Sequence, residues 1–183
     1  MREFYLVALG SNQRHHRFGS PRVILGSVAG ILESAECNVL AVAPVITSDP
    51  VGPSMRRYAN GALLLATERK PEELLRLLKQ IEAAYDRDNR GQRWRSRTLD
   101  LDIILWSGGA YESKILTIPH RLFRERRFVT GPASAICGDW RDPSTNFTVK
   151  QLHARLTKPH TPPRERRVVG PLAQSVEQLT FNQ

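Results

Sequence analysis

The stretch Leu99 to Trp106, LDLDIILW, alternates with a period of two. Leu99, Leu101, Ile103 and Leu105 point one way, and Asp100, Asp102, Ile104 and Trp106 the other. That period is the side-chain period of a β-strand, so both carboxylates share a face about 7 Å apart. A strand of this kind must lay its leucine face on a core while two like charges on the other face attract cations. Magnesium takes oxygen ligands and commonly shares them with substrate phosphates. Arg93, Arg95 and Arg97 come just before the strand, and guanidinium forks match phosphate oxygens. Two carboxylates beside clustered arginines point to chemistry on a nucleoside triphosphate. For a bare Asp-x-Asp the plainer reading is a surface strand with ordinary aspartates. The arginines and Trp94 favour the functional one.

The rest of the chain supplies partners for this strand. Glu3 to Leu9 is a β-rich apolar run that ends at Gly10-Ser11-Asn12, which reads as a turn. Ser20-Pro21 offers an N-cap and an N1 proline. Ile24, Val28, Ile31 and Leu32 then recur at helical spacing, predicting a helix over 21–35. Asn38 to Ile46 reads as a second strand, Thr47 to Arg57 as a loop, and Tyr58 to Thr67 as a third strand. Pro71 opens a helix with Glu72 and Glu73 in its first turn, where the dipole favours acids. Leu74, Leu77, Leu78, Ile81 and Tyr85 form its apolar stripe. Asp86 to Ser96 reads as an arginine-rich loop before the strand Leu99 to Trp106. The order β-α-β-β-α-β predicts an α+β fold, a ferredoxin-like βαββαβ sandwich whose helices lie on one face of an antiparallel sheet.

Beyond Gly108 the pattern is thinner. Thr117 to His120 reads as a short extended piece, Arg121 to Ala135 as one or two short helices, Asp142-Pro143 as a turn and Val149 to Leu156 as a last helix. The expected fold is thus the sandwich with added C-terminal helices, one domain over 1–157. From Lys158 the chain is proline-rich and then basic, and 158–183 is expected to be a disordered tail.

A chain of 183 residues is long enough to bury a real core. No apolar run approaches the roughly 18 residues of a membrane span, and the N-terminus is too quickly polar for a signal peptide. Cys37 and Cys137 show no metal or disulfide spacing, which fits reduced thiols and a cytoplasmic location. The formal charge of +9 favours a polyanionic ligand. Five arginines fall between Arg87 and Arg97 and four between Arg121 and Arg127, two clusters flanking the aspartate strand like a phosphate cradle.

In this order the pieces ALGSN (Ala8 to Asn12), PVGP (Pro50 to Pro53), YAN (Tyr58 to Asn60), IE (Ile81, Glu82), RWxxRTLDLDI (Arg93 to Ile103), TIPH (Thr117 to His120) and Arg126 with Phe128 resemble the 6-hydroxymethyl-7,8-dihydropterin pyrophosphokinase family. The likeness runs from about Tyr5 to Thr148. It implies transfer of pyrophosphate from ATP to the pterin hydroxymethyl oxygen, with AMP leaving, in folate biosynthesis. It implies that Asp100 and Asp102 hold two Mg2+ ions, and that Arg87, Trp94 and Arg97 act with them as the catalytic set. On the ATP side it places Glu82, Arg97, Ile103, His120, Arg121 and Arg126. On the pterin side it places Ser48, Val51, Tyr58, Asn60 and Phe128, with Tyr58 and Phe128 as stacking partners and Asn60 reading the heterocycle edge. The expected partners are these two small molecules, with no nucleic acid, no membrane and a monomeric chain.

The pterin assignments make physical sense. A flat polar heterocycle needs aromatic faces and an amide that both donates and accepts, and Tyr58 and Asn60 share a strand face. The chain departs from the family pattern at Arg95-Ser96, at Asn89, at Arg127 and in the basic run Gln13 to Arg17. These departures leave open a paralogue acting on another pterin-like alcohol. A basic ferredoxin-like nucleic-acid-binding module is a second alternative, opposed by the lack of an aromatic platform on the central strands. An inactive homologue is a third, opposed by the intact Asp100, Asp102, Arg97, Trp94 and His120.

Overall fold

The computed structural model describes residues 2–50, 56–85 and 98–159. The first strand, β1 (Glu3–Ser11), is buried from Tyr5 to Leu9. Its side chains alternate between two separate cores. Tyr5, Val7 and Leu9 enter one, and Leu6 and Ala8 enter the other. A strand apolar on both faces belongs in the middle of a covered sheet, which is where β1 lies.

Helix α1 (Pro21–Ser34) starts at its proline and buries Ile24, Leu25, Val28 and Leu32. Ser20 occupies the N-cap position, although its hydroxyl makes no capping bond there. After α1 come β2 (Asn38–Val42), β3 (Ile46–Ser48) and β4 (Tyr58–Thr67). Helix α2 (Pro71–Tyr85) carries Glu72 and Glu73 in its first turn and buries Leu74, Leu78, Ile81 and Tyr85. The chain continues through β5 (Asp100–Trp106), the small hairpin β6 (Tyr111–Glu112) and β7 (Thr117–Ile118), and a 3-10 turn over Phe123–Glu125. It ends, among the described residues, with α3 (Arg127–Cys137) and α4 (Val149–Thr157). A capping box between Thr148 and Gln151 starts α4.

The main sheet has the order β2-β4-β1-β5, with β3 also pairing to β4. Every neighbouring pair is antiparallel. The connection β1-α1-β2 passes over β4, and β4-α2-β5 passes over β1. Helices α1 and α2 seal one face, around Leu63, Leu65, Leu101 and Ile103. Helices α3 and α4 with Phe123 seal part of the other, around Leu6, Ala62, Ile104 and Leu105. Burying one such large aliphatic side chain contributes about 1.5 to 3 kcal/mol, so both layers matter to stability.

Four sequence expectations change. Helices cover both faces of the sheet, because the C-terminal pair supplies the second layer. The strand expected over Asn38 to Ile46 is two strands: Pro44, which has no backbone N–H, lies in the break, and Ile46–Ser48 runs on into the expected loop. Gly10 and Ser11, expected in a turn, remain in β1 and pair with Asn60 and Ala59. The alternation of the aspartate strand holds only to Ile104. Leu6 pairs with Leu105 and Val7 with Ile103, so Ile104 is an extra residue in a bulge. Ile104 and Leu105 therefore both join the α3/α4 core, and Trp106 packs on the α1/α2 side. The expected tail beyond Pro159 lies outside the described residues.

Candidate active site

Strand register brings the candidate residues together. Gly10 of β1 pairs with Asn60 on one side and Asp100 on the other. One step along the same face, Ala8 pairs with Ala62 and Asp102. Two rows result, Asn60-Gly10-Asp100, polar at both ends, and Ala62-Ala8-Asp102, polar only at Asp102, and both are small in the middle. This is the face that α3 and α4 partly cover. The exposed part of the two aspartates thus looks over a low floor of glycine and alanine.

At the β4 end, Asn60 is buried at 4% exposure and donates through Nδ2 to Ser48 Oγ at 2.9 Å. Ser48 pairs with Tyr58 between β3 and β4. Tyr58 is half-buried and, by the strand period, shares the face of Asn60. Phe128, in the first turn of α3, packs on the core of this same face. The Arg126 guanidinium lies 5.8 Å from the Phe128 ring centroid. Ser48, Tyr58, Asn60 and Phe128 therefore belong to one side of one face. Val51 lies outside the described residues.

At the β5 end, the Asp102 carboxylate is partly exposed and its Oδ2 lies 4.0 Å from His120 Nε2. Backbone holds His120 at three points: its N–H donates to Ile104 O at 3.1 Å and its carbonyl accepts the Phe123 N–H at 3.2 Å, and its Nδ1 accepts from the Leu122 N–H at 3.3 Å. With Nδ1 an acceptor, the ring proton of neutral His120 belongs on Nε2, facing Asp102. Burial pushes the imidazole below its ordinary pKa and Arg126 adds to this, while Asp102 and Asp100 oppose it. A neutral ring with its N–H turned toward the carboxylates is a hydrogen-bond donor suited to a phosphate oxygen.

Glu82 of α2 has a different set of contacts from the other candidates. Its Oε1 accepts the Leu101 N–H at 2.7 Å, and both oxygens accept from Lys79 Nζ at 2.8 Å. Burial pushes its carboxyl pKa up and Asp100 adds to this, against Lys79 and the Leu101 N–H. Leu101 lies between the two aspartates on the strand that forms the sheet edge among the described residues, so Glu82 takes up an edge N–H where their spacing is set. Ile103 sends its side chain into the α1/α2 core, at 2% exposure. Arg121 lies 3.8 Å from Glu112, both largely exposed. Arg87, Trp94 and Arg97 lie outside the described residues.

Sequence reasoning grouped Arg124 with the phosphate-binding arginines, and here the structure corrects it. Arg124 donates through Nε and Nη2 to the two Asp142 oxygens, each at 2.7 Å, and Asp142 is fully buried. The Ser144 N–H and the Thr145 hydroxyl complete the Asp142 shell. The Asp-Pro-Ser-Thr run carried a weak signal for this, since such a turn places donors around its aspartate. The floor residues Ala8, Gly10 and Ala62 were also missed, because small residues that share a face on two neighbouring strands are invisible until register is known. His15 and His16 stack at 4.4 Å, with His15 Nδ1 accepting the Arg17 N–H at 3.1 Å. Among the described residues no group of three or more His, Cys, Asp and Glu is placed to hold a metal.

A groove of about 880 Å3 lined by Arg2, Glu36, Thr67, Arg69, Glu73 and Arg76 lies toward the other end of β1 and β4, apart from these rows. Its charges are mixed and partly paired, as with Arg69 and Glu36 at 3.9 Å.

Residues 6–138 match the family model described as 7,8-dihydro-6-hydroxymethylpterin-pyrophosphokinase (HPPK). A 2-amino-4-hydroxy-6-hydroxymethyldihydropteridine pyrophosphokinase of Pseudomonas aeruginosa is 37% identical over 150 residues, 81% of this chain and 89% of that one. The Synechocystis sp. protein of the same name is 36% identical over 127 residues, 69% of this chain and 65% of that one. The wild-type Plasmodium falciparum HPPK-DHPS structure with SDX-DHP superposes with a TM-score of 0.64 at 11% identity, covering 85% of this chain and 44% of the larger one. This last likeness speaks for the fold alone. No helix among the described residues is long and apolar enough to cross a membrane.

Proposed function

The chain belongs to the 7,8-dihydro-6-hydroxymethylpterin-pyrophosphokinase family, and from that premise we infer that it transfers pyrophosphate from ATP to 6-hydroxymethyl-7,8-dihydropterin in folate synthesis. The observation that carries the reading is the register Asn60-Gly10-Asp100. A heterocycle-reading amide and a cation-binding carboxylate stand in one row, on one face, across a residue with no side chain.

The reaction joins the pterin hydroxymethyl oxygen to the β-phosphorus of ATP and breaks the bond from that phosphorus to the oxygen bridging to the α-phosphate. AMP leaves with that oxygen, and the hydroxyl proton is lost. Such transfers depend mainly on positioning and on charge neutralisation. Asn60, held by Ser48, reads the pterin edge, while Tyr58 and Phe128 hold the ring between aromatic faces. Val51 adds backbone contacts. His120 donates from Nε2 to a phosphate oxygen, and Arg121 and Arg126 meet the triphosphate from the same side. Ile103 contributes through its backbone, since its side chain is in the core. Glu82 acts on the ATP side through the edge of β5, keeping the two aspartates in place. Arg87, Trp94 and Arg97 complete the site and exclude the water that would compete with the pterin hydroxyl.

The donor set fits Mg2+. Asp100 and Asp102 offer oxygen ligands on one face, partly open, with too few protein groups among the described residues to close a shell, which suits a cation that keeps waters and substrate phosphates. Two such ions, when bound, would neutralise the triphosphate and favour attack at phosphorus. The same interleaved crossovers and antiparallel order support a ferredoxin-like sandwich over 1–157. A monomer in the cytoplasm, without nucleic-acid or membrane partners, completes the reading.

The aspartates provide the test. Neither side chain belongs to either core, so Asp100→Ala and Asp102→Ala are expected to keep a native circular-dichroism spectrum while turnover falls by orders of magnitude. Near-normal turnover in either variant would refute the metal role.

A further inference from the structure

We propose that Gly10 is a specificity-determining residue of this site, its missing side chain leaving the slot in which the flat substrate ring lies between Asn60 and the aspartates. The proposal rests on the pterin reading above and adds a residue to it. A glycine inside a strand costs stability relative to alanine, and it commonly marks close approach of a ligand or another backbone. Gly10 is paired on both sides, to Asn60 of β4 and Asp100 of β5.

The fold itself does not ask for glycine there. Gly19 and Gly109 have φ angles of 91° and 94°, which L-residues with side chains rarely adopt. A Cβ on Gly108 would fall 2.3 Å from the Trp106 ring. Gly10 has neither constraint. Its φ is not in the positive region, and among the described residues an added Cβ would meet only Asp100 Cβ, at an ordinary contact distance of 3.7 Å. With backbone geometry and packing both satisfied by alanine, the remaining use of the glycine is the space above it.

That space has a defined shape. Adjacent strands lie about 4.8 Å apart, so the positions flanking Gly10 are about 10 Å apart across the sheet. On one side stands a buried amide already fixed by Ser48, and on the other a carboxylate. Ala8 and Ala62 keep the next row equally low. A fused heteroaromatic ring held between Tyr58 and Phe128 sets its rim against the Gly10 backbone, with its polar edge at Asn60 and its exocyclic hydroxymethyl directed toward Asp100. A methyl at position 10 would lift or shift the ring, and a branched side chain would close the slot.

The test uses the full chain and its Gly10→Ala and Gly10→Val variants. Thermal unfolding, affinity for a non-hydrolysable ATP analogue with Mg2+, and KM and kcat for hydroxymethyldihydropterin are measured for each. Gly10→Ala is expected to unfold at the wild-type temperature or above and to bind the ATP analogue within about twofold of wild type. Its pterin KM is expected to rise about tenfold or more, the scale of one misplaced methyl in a fitted pocket. Gly10→Val should give no saturation with the pterin, and if it fails to fold Gly10→Ala carries the test alone. An unchanged pterin KM in a folded Gly10→Ala overturns the proposal while the wild-type activity stands. A wild-type chain that does not turn over the pterin overturns the functional reading itself, whatever the variants do.

Discussion

At the scale of single residues, the site joins groups that do opposite things to water. Asn60 is buried and its Nδ2 donates to Ser48, and a side-chain amide can both donate to and accept from a heterocycle edge. On the proposed reading, removing it leaves the pterin's polar edge without its partner, which costs about 1 to 3 kcal/mol. Asn60→Ala is therefore expected to weaken pterin binding by that amount and ATP binding far less, as measured by calorimetry with each ligand alone. Equal losses for both would contradict the assignment. These polar residues were legible in the sequence, because Asp100, Asp102, Asn60 and His120 are chemically loud and stand in short motifs. Gly10 was not. In a linear reading Gly-Ser-Asn is turn chemistry, and only pairing with Asn60 and Asp100 keeps the first two in the strand.

At the scale of elements, each candidate side chain is aimed by an element that the sequence largely announces. The period-two pattern of β5 and the apolar stripes of α1 and α2 were readable because one repeat decides which face is buried. The Ile104 bulge was hidden, since it depends on how β5 lies against β1 rather than on its own residues. The Arg124–Asp142 pair was hidden for the same reason, being separated by the whole of α3. That pair ties the 3-10 turn to the segment before α4. Burial alone would push the Asp142 carboxyl up, but Arg124, Thr145 and the Ser144 N–H outweigh it and hold the pKa below the ordinary aspartate value. A depressed folded-state pKa contributes stability that is present above the unfolded value and lost as pH falls through the folded one. Asp142→Ala, which leaves Arg124 without its partner, is expected to destabilise the fold by about 3 to 5 kcal/mol at neutral pH. In denaturant titrations the gap from wild type should narrow as pH falls below the ordinary aspartate range. A gap independent of pH would place the effect in packing rather than in the ion pair.

At the scale of the whole molecule, two cores on opposite faces of one sheet divide the work. The α1/α2 layer fixes the strands, and the α3/α4 layer covers the working face while presenting Arg126 and Phe128 beside the floor of Gly10 and Ala8. Among the described residues, both cores draw on none later than Leu152. A chain ending at Lys158 is accordingly expected to keep its activity, with stability changed by no more than about 1 kcal/mol. Aggregation, or loss of turnover in that shortened chain, would show that residues beyond 158 dock on the body. The central claim is that the row Asn60-Gly10-Asp100 serves pyrophosphoryl transfer, and one measurement addresses it directly. The full chain is incubated with ATP, Mg2+ and 6-hydroxymethyl-7,8-dihydropterin, and the products are identified by mass spectrometry. The account predicts AMP and the pterin diphosphate in equal amounts; ADP with a pterin monophosphate, or no pterin product at all, would contradict it.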